Sequence, residues 1–224
     1  MTYKTLDLHT DGPVGWLVFD RPAAGNAIDA RTFVELERAW GELEADESVR
    51  VIVNTGAGSS FQTGLDVRQL ATDKDALRAS SRQTRDFTLR MTGWHCGVTK
   101  PVVAAVNGTC AGGGLHFVAD ADVVLAADTA TFLDPHVSVG QVSAFESIGL
   151  LKKAPMETIT RMALLGAHER LTAERARQLG MVSEVVPADQ LRDRAQRVAE
   201  SIAAVDPTRL RSIKHTLWSA LEVP

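Results

Sequence analysis

Cysteine is scarce in this chain, which has only Cys96 and Cys110 among its 224 residues. Their number and spacing fit neither a disulfide framework nor a zinc site. Aromatic residues make up only 5% of the sequence, and no apolar run reaches the ~20 residues that a membrane-spanning helix needs. The N-terminus carries no basic-then-apolar leader. We therefore expect a cytoplasmic protein that has no membrane partner and whose thiols are reduced.

An excess of positive charge is also missing. The 24 Lys and Arg residues are balanced by 28 Asp and Glu residues, for a net charge of −4. Because binding to a polyanion requires a basic patch or stripe, this balance argues against a nucleic-acid partner. Hydrophobic residues account for 45% of the chain and charged residues for 23%, which is the composition of an ordinary globular protein.

Strand and helix patterns alternate along the chain. Two apolar segments, 6–9 and 14–19, flank Asp11-Gly12-Pro13 and predict a β-hairpin. Asp29 is placed to cap a first helix. Buried strands are expected at 51–54, 102–106 and 123–126, a further strand at 182–186, and further helices at 67–94, 156–166, 172–179, 188–204 and 207–221. This alternation predicts an α/β fold.

The most informative segment is the glycine-rich stretch at 104–116. An apolar strand pattern leads into Gly112-Gly113-Gly114, and an apolar helical pattern follows at once. Glycines allow the backbone to approach a ligand closely, and a helix start leaves peptide N–H groups free to donate. Such donors suit a carbonyl oxygen that becomes negative during a reaction.

A second glycine turn lies at 59–66. Gly64 sits between a predicted strand and a polar helix, so this turn and the first could each direct one N–H to the same oxygen. An ordinary connection between a strand and a helix is the alternative reading of each turn taken alone.

In their order along the chain, these motifs resemble the crotonase superfamily, the enoyl-CoA hydratase/isomerase fold. The resemblance covers residues from about 5 to about 215 and rests on Arg21-Pro22, Asn26-Ala27-Ile28, 61–66, 100–108, 112–114, 121–127, 130–132, 164–166, 173–176 and 180–187. It implies a crotonase-like spiral of ββα units over residues 1–187 and a C-terminal helical region over 188–224. Members of the superfamily usually continue for a few dozen more residues, so we expect this C-terminal region to be short.

The resemblance also implies a substrate site. It places an oxyanion hole at the backbone N–H groups of Leu65 and Gly113. It further implies a binding path for coenzyme A along Ala24, Asn26, Phe61, Gln62, Thr63, Gly64 and Gly112. Coenzyme A would arrive as part of the substrate thioester, and neither another cofactor nor a metal is expected. The family further implies a homotrimer or a dimer of trimers.

Catalysis is where the chain departs from the family pattern. In the hydratases that it resembles, two glutamates transfer the protons, whereas His116 and His136 occupy the matching positions here. Imidazoles can serve as acid and base near neutral pH. Ordinary core packing is the alternative for each histidine, and His95 is expected to pack near a helix end.

Three functions therefore stay open at the level of sequence. The first is an enoyl-CoA hydratase/isomerase-like enzyme that stabilises a thioester enolate and uses His116 and His136. The second is a β-diketone hydrolase that cleaves a carbon–carbon bond, as in a superfamily branch that uses histidines. In that branch an acid orients the second histidine, and Glu146 or Asp134 could take its place here. The third is a catalytically weak paralogue that binds acyl-CoA.

Overall fold

The computed structural model describes residues 2–73, 90–143 and 145–221. Its larger sheet has the strand order β1-β2-β3-β5-β7-β10. These strands are β1 (Leu6–Asp11), β2 (Val14–Phe19), β3 (Val51–Gly56), β5 (Val102–Val106), β7 (Val123–Ala127) and β10 (Glu184–Val186). Strands β1 and β2 are antiparallel, which confirms the predicted hairpin, and the other neighbours in this sheet are parallel.

A second sheet is built from very short strands in the order β4-β6-β8-β9. They are β4 (Ser60–Gln62), β6 (Thr109–Ala111), β8 (Thr131–Leu133) and β9 (Leu171–Thr172). Each of the first three follows a strand of the larger sheet after a tight turn, so successive turns of the chain add one strand to each sheet. This arrangement confirms the predicted α/β fold with repeating strand–strand–helix units.

The helices of the described residues lie between and after these strands. They are α1 (Ala30–Ala45), α2 (Val67–Thr72), α3 (Leu115–Ala119), α4 (Phe145–Leu150), α5 (Met156–Leu165), α6 (Ala173–Gln178), α7 (Leu191–Ala203) and α8 (Pro207–Ser219). Asp29 caps α1, as predicted, because its side chain accepts from the Thr32 N–H at 2.7 Å. Of the helix expected at 67–94, the structure has helix α2 at its start and no helix at 90–94, and the part at 74–89 lies outside the described residues.

The hydrophobic core lies between the larger sheet and the helices that cover it. Strands β3 and β5 are buried along almost their whole length, as expected for parallel strands that are covered on both faces. Helix α7 presents Ala195, Ala199 and Ala203 to the same core. Small side chains at this spacing let the helix pack closely on the sheet. Within the described residues, no helix is long and apolar enough to cross a membrane.

Candidate active site

The two glycine turns meet in space. The 3₁₀ helix Gly112–Gly114 follows β6, and Gly64 follows β4, its parallel neighbour in the small sheet. A methyl group on Gly64 would lie 3.2 Å from the Gly113 nitrogen, and one on Gly112 would lie 3.7 Å from the ring of Pro135. Gly64 also has a φ of +90°, which side chains disfavour. At Gly64, both the close approach to Gly113 and the positive φ therefore favour glycine.

The Leu65 N–H points away from Ile28, the residue with which Leu65 forms an isolated parallel bridge. In the parallel bridge between Ile28 and Leu65, the Ile28 N–H donates to the Gly64 carbonyl and the Asp66 N–H donates to the Ile28 carbonyl, both at 2.8 Å. These bonds use the groups on either side of Leu65. Since successive peptide groups of an extended chain point in opposite directions, the Leu65 N–H faces the other side.

Buried side chains hold the turn at Gly64 in place. Gln62 is completely buried, its Oε1 accepts from the Gly64 N–H at 2.7 Å, and its Nε2 donates to the Gly64 carbonyl at 3.2 Å and to the Asn26 carbonyl at 3.3 Å. Phe61 is also completely buried. The side chains of Phe61 and Gln62 therefore support this segment from within and do not face a ligand.

Asn26 and Thr63 tie a neighbouring turn to the same segment. Asn26 is buried with a φ of +58°. Its Oδ1 accepts from the Arg21 N–H at 2.9 Å, and its Nδ2 donates to the carbonyls of Ala57 and Ser60. The Thr63 hydroxyl donates to the Gly25 carbonyl at 2.9 Å. These bonds fix the short 3₁₀ helix Pro22–Ala24, in which Ala24 is half-buried, beside β4.

The two histidines flank a single carboxylate. His116 lies on α3, directly after the glycines, and His136 starts the 3₁₀ helix His136–Val139. Oε1 of Glu146, in the first turn of α4, lies 3.5 Å from Nε2 of His116 and 3.7 Å from Nε2 of His136. All three side chains are largely buried. The structure thus brings together both histidines and one of the two acids that the sequence singled out.

The other acid, Asp134, holds the opposite edge of the His136 ring. Its Oδ1 lies 2.6 Å from His136 Nδ1 and accepts from the His136 backbone N–H at 3.2 Å. Its Oδ2 accepts from the hydroxyls of Ser143 and Ser147. Burial opposes ionisation of Asp134, but these hydrogen bonds, the one from His136 above all, lower its pKa. The hydrogen bond to Asp134 in turn raises the pKa of His136 above its ordinary value.

Glu146 is also held in its charged form. Burial favours the neutral acid, but the hydrogen bond and positive charge of His116, together with the charge of His136, lower the Glu146 pKa below its ordinary value. Near neutral pH the site therefore combines an ionised carboxylate with an imidazole, His136, that is more basic than usual. Such a pair can accept a proton at one atom and donate one at another.

A third histidine belongs to the same neighbourhood. The His95 and His116 rings meet edge to face with their centroids 5.6 Å apart. His95 Nδ1 lies 2.9 Å from the Thr92 hydroxyl, which donates to Asp120 at 2.7 Å. Sequence reasoning treated His95 as a packing residue and missed this cluster. The one feature of the sequence that pointed to this cluster was the four-residue spacing of His116 and Asp120, which places them on one helix face.

The family model described as enoyl-CoA hydratase/isomerase matches residues 10–224. The chain is 32% identical to a probable enoyl-CoA hydratase of Mycobacterium bovis, over 99% of this chain and 84% of that protein. It is 34% identical to the carnitinyl-CoA dehydratase of Proteus mirabilis, over 98% and 82% of the two chains. The crystal structure of an enoyl-CoA hydratase/isomerase from Mycobacterium paratuberculosis superimposes with a TM-score of 0.89 at 35% identity, covering 100% of this chain and 85% of that one.

Proposed function

Because the chain belongs to the enoyl-CoA hydratase/isomerase family, we propose that it processes an α,β-unsaturated acyl-CoA thioester through a stabilised enolate. The observation that carries this proposal is the position of Glu146 between the Nε2 atoms of His116 and His136. Glu146 supplies a carboxylate, whereas histidines stand at both positions where the resemblance to the family leads us to expect a glutamate. The reaction that this set of groups supports best is addition of water across the double bond, or its reversal.

The backbone amides of Leu65 and Gly113 form the proposed oxyanion hole. Two observations support it: the Leu65 N–H is not used by the bridge to Ile28, and a methyl group on Gly64 would lie only 3.2 Å from the Gly113 nitrogen. Donors of this kind act on the thioester oxygen as it becomes negative, when they stabilise it most. The remaining turn residues, Ala24, Asn26 and the segment 61–64 with Gly112, border the path proposed for coenzyme A.

The proton steps follow from the charge state of the side chains. The Glu146 carboxylate takes a proton from water as the water oxygen bonds to Cβ, and the π electrons move to the thioester oxygen. The enolate then collapses, and Cα takes the Nε2 proton of His136. Glu146, whose hydrogen-bond partner is His116, returns its proton to His136, whose Nε2 lies 3.7 Å away. Water is added overall, and the groups regain their starting protonation.

Crotonyl-CoA in deuterium oxide provides the test. We expect the ultraviolet absorbance of the enoyl thioester to fall and one non-exchanging deuterium to appear at Cα of the product, detected by mass spectrometry. Neither change, with crotonyl-CoA, longer enoyl-CoA esters or the matching 3-hydroxyacyl-CoA esters, would overturn the proposal. If these esters bind in calorimetry without turnover, the chain is instead the acyl-CoA-binding paralogue.

A carbon–carbon hydrolase is a second candidate, favoured by one specific observation. His136 is held by Asp134 at 2.6 Å and has Glu146 on its other side, so both acids that the sequence offered as orienting groups contact it. An imidazole held by a carboxylate can act as a base toward water that attacks a ketone. Cleavage of a β-diketone to a carboxylic acid and a ketone, with crotonyl-CoA left unchanged, would select this candidate.

A further inference from the structure

Three potential metal ligands converge beside the proposed active site. One side-chain donor atom from each of His95, His116 and Asp120 lies within 4.8 Å of the other two. His116 and Asp120 lie on and just after α3, one helical turn apart, and His95 comes from the turn that precedes β5. The fold therefore brings together two imidazoles and one carboxylate from two segments.

Thr92 determines which nitrogen of His95 carries a proton. The Asp120 carboxylate can only accept, so the single hydroxyl proton of Thr92 goes to Asp120 Oδ2, at 2.7 Å. The Thr92 oxygen must then accept from His95 Nδ1, which lies 2.9 Å away. In the neutral ring the remaining nitrogen, Nε2, consequently bears a lone pair.

This lone pair faces another electron-rich atom. His95 Nε2 lies 3.7 Å from Asp120 Oδ2, a separation too long for a direct hydrogen bond and unfavourable between two acceptors. The hydrogen bonds of Thr92 therefore leave two lone-pair-bearing atoms facing each other with no proton between them. A bound cation would relieve the contact.

We propose that His95, His116 and Asp120 form a binding site for a first-row divalent cation, with Zn²⁺ as the best match. Two imidazoles and a carboxylate are a ligand set suited to Zn²⁺ at ~2.0–2.2 Å. Two ligands at that distance from one ion stand ~3.5 Å apart in a tetrahedral site, close to the separation of His95 Nε2 and Asp120 Oδ2. Thr92 supplies the outer hydrogen bonds that orient both ligands.

The surroundings limit how tightly this site binds an ion. The Lys153 ammonium lies near enough to Asp120 to interact with its charge, although it donates to the Ala121 carbonyl at 2.7 Å. Lys152 adds a second positive charge near His95. A divalent ion held here would take one ring nitrogen of His116, so this ring could no longer carry a proton on both nitrogens.

Cobalt titration tests the site without reference to turnover. The full-length protein is stripped with a chelator and titrated with Co²⁺, whose visible absorption reports low-coordinate nitrogen and oxygen ligands. Competition with Zn²⁺ then gives the zinc affinity. We expect one equivalent to bind, Thr92→Val to weaken binding about 10–100-fold, and His95→Ala to weaken it further. His168→Ala, which removes an exposed histidine elsewhere, should leave binding unchanged.

Unchanged cobalt binding by His95→Ala would overturn the proposal, as would the absence of any stoichiometric binding by the wild-type protein. If His95→Ala does not fold, Asp120→Asn keeps the shape of the side chain and serves in its place. A further readout needs no variant: Co²⁺ should strongly shift the ring-proton NMR signals of two histidines, whereas shifts confined to exposed histidines would contradict the assignment. None of these readouts depends on the acyl-CoA proposal.

Discussion

Oδ1 of Asp134, a completely buried carboxylate, lies 2.6 Å from Nδ1 of His136. This contact fixes the orientation of the ring and directs Nε2 toward Glu146, 3.7 Å away. Two serine hydroxyls complete the hydrogen bonds of Asp134, so the carboxylate stays charged in the interior. Asp134 thus acts on the proposed chemistry through His136.

The free energy of unfolding should depend on pH because of the pair formed by Asp134 and His136. The pKa of Asp134 is lower in the folded protein than in the unfolded chain, where it is near 3.8, so Asp134 stabilises the fold at pH values above 3.8. This contribution is lost as the pH falls through the lower folded pKa. The pKa of His136 is higher in the folded protein than in the unfolded chain, where it is near 6.5, so His136 stabilises the fold at pH values below 6.5. This contribution is lost as the pH rises through the higher folded pKa.

The two contributions are therefore both present between about pH 4 and 6.5. Asp134→Asn should lower the free energy of unfolding by about 2 kcal/mol in this window, and by less as the pH rises above the folded pKa of His136. Urea unfolding across this pH range measures the difference. Asp128→Asn, at an exposed position, is the control. A loss that does not vary with pH would show that the pair is not ionised as described.

The rate of hydration should have a bell-shaped pH profile that is set by Glu146 and His136. Glu146 must be ionised, so activity falls as the pH drops through its lowered pKa, and His136 must be protonated, so activity falls as the pH rises through its raised pKa. Asp134→Asn removes the hydrogen bond that raises the His136 pKa and should move the alkaline limb to lower pH. An alkaline limb that stays in place would exclude His136 as the acid.

The contact between the glycine turns should be sensitive to a single methyl group. Gly64→Ala places its methyl 3.2 Å from the Gly113 nitrogen and forces alanine to a φ of +90°. We expect kcat/KM to fall about 10²–10³-fold, the typical cost of losing an oxyanion-hole donor. Gly12→Ala is the matched control, because Gly12 also has a positive φ but has open space around it. Equal losses in the two variants would show a backbone effect alone.

A buried ion pair anchors the last described helix, α8. Lys214 Nζ lies 2.8 Å from Asp122 Oδ2 and donates to the Lys100 carbonyl at 2.9 Å, and Trp218 Nε1 donates to Asp122 Oδ1 at 2.6 Å. Asp122→Ala leaves a buried ammonium without its counterion, so the free energy of unfolding should fall by about 3 kcal/mol or more. Asp189→Asn, on the surface, should change it little. Thermal unfolding followed by circular dichroism checks both.

Much of the fold could be predicted from local patterns. The buried strands at Val51–Gly56 and Val102–Val106 are apolar runs between turn residues, and Asp29 precedes a segment with helical periodicity. The strands of the small sheet were not predicted, because two or three residues are too few to show a period. Their pairing depends on where the larger sheet places each turn.

The candidate site was only partly visible in the sequence. The positions of His116 and His136 relative to the glycine turns follow from the family resemblance. The contact of Glu146 with both rings does not, because it depends on how α4 packs against α3. The role of Gln62, which holds Gly64 through its buried amide, is likewise set by tertiary structure. His95 was missed for the same reason, since His116 and Asp120 come from a later segment of the chain.

The most direct test of the whole account is the turnover of crotonyl-CoA by Glu146→Gln. This substitution keeps the shape of the side chain and removes the charge between the two imidazoles. We predict a fall in kcat of about 10²–10⁴-fold, with thioester binding retained and with Glu47→Gln, at an exposed turn, as active as the wild-type protein. A Glu146→Gln variant that turns over crotonyl-CoA at the wild-type rate would contradict the account.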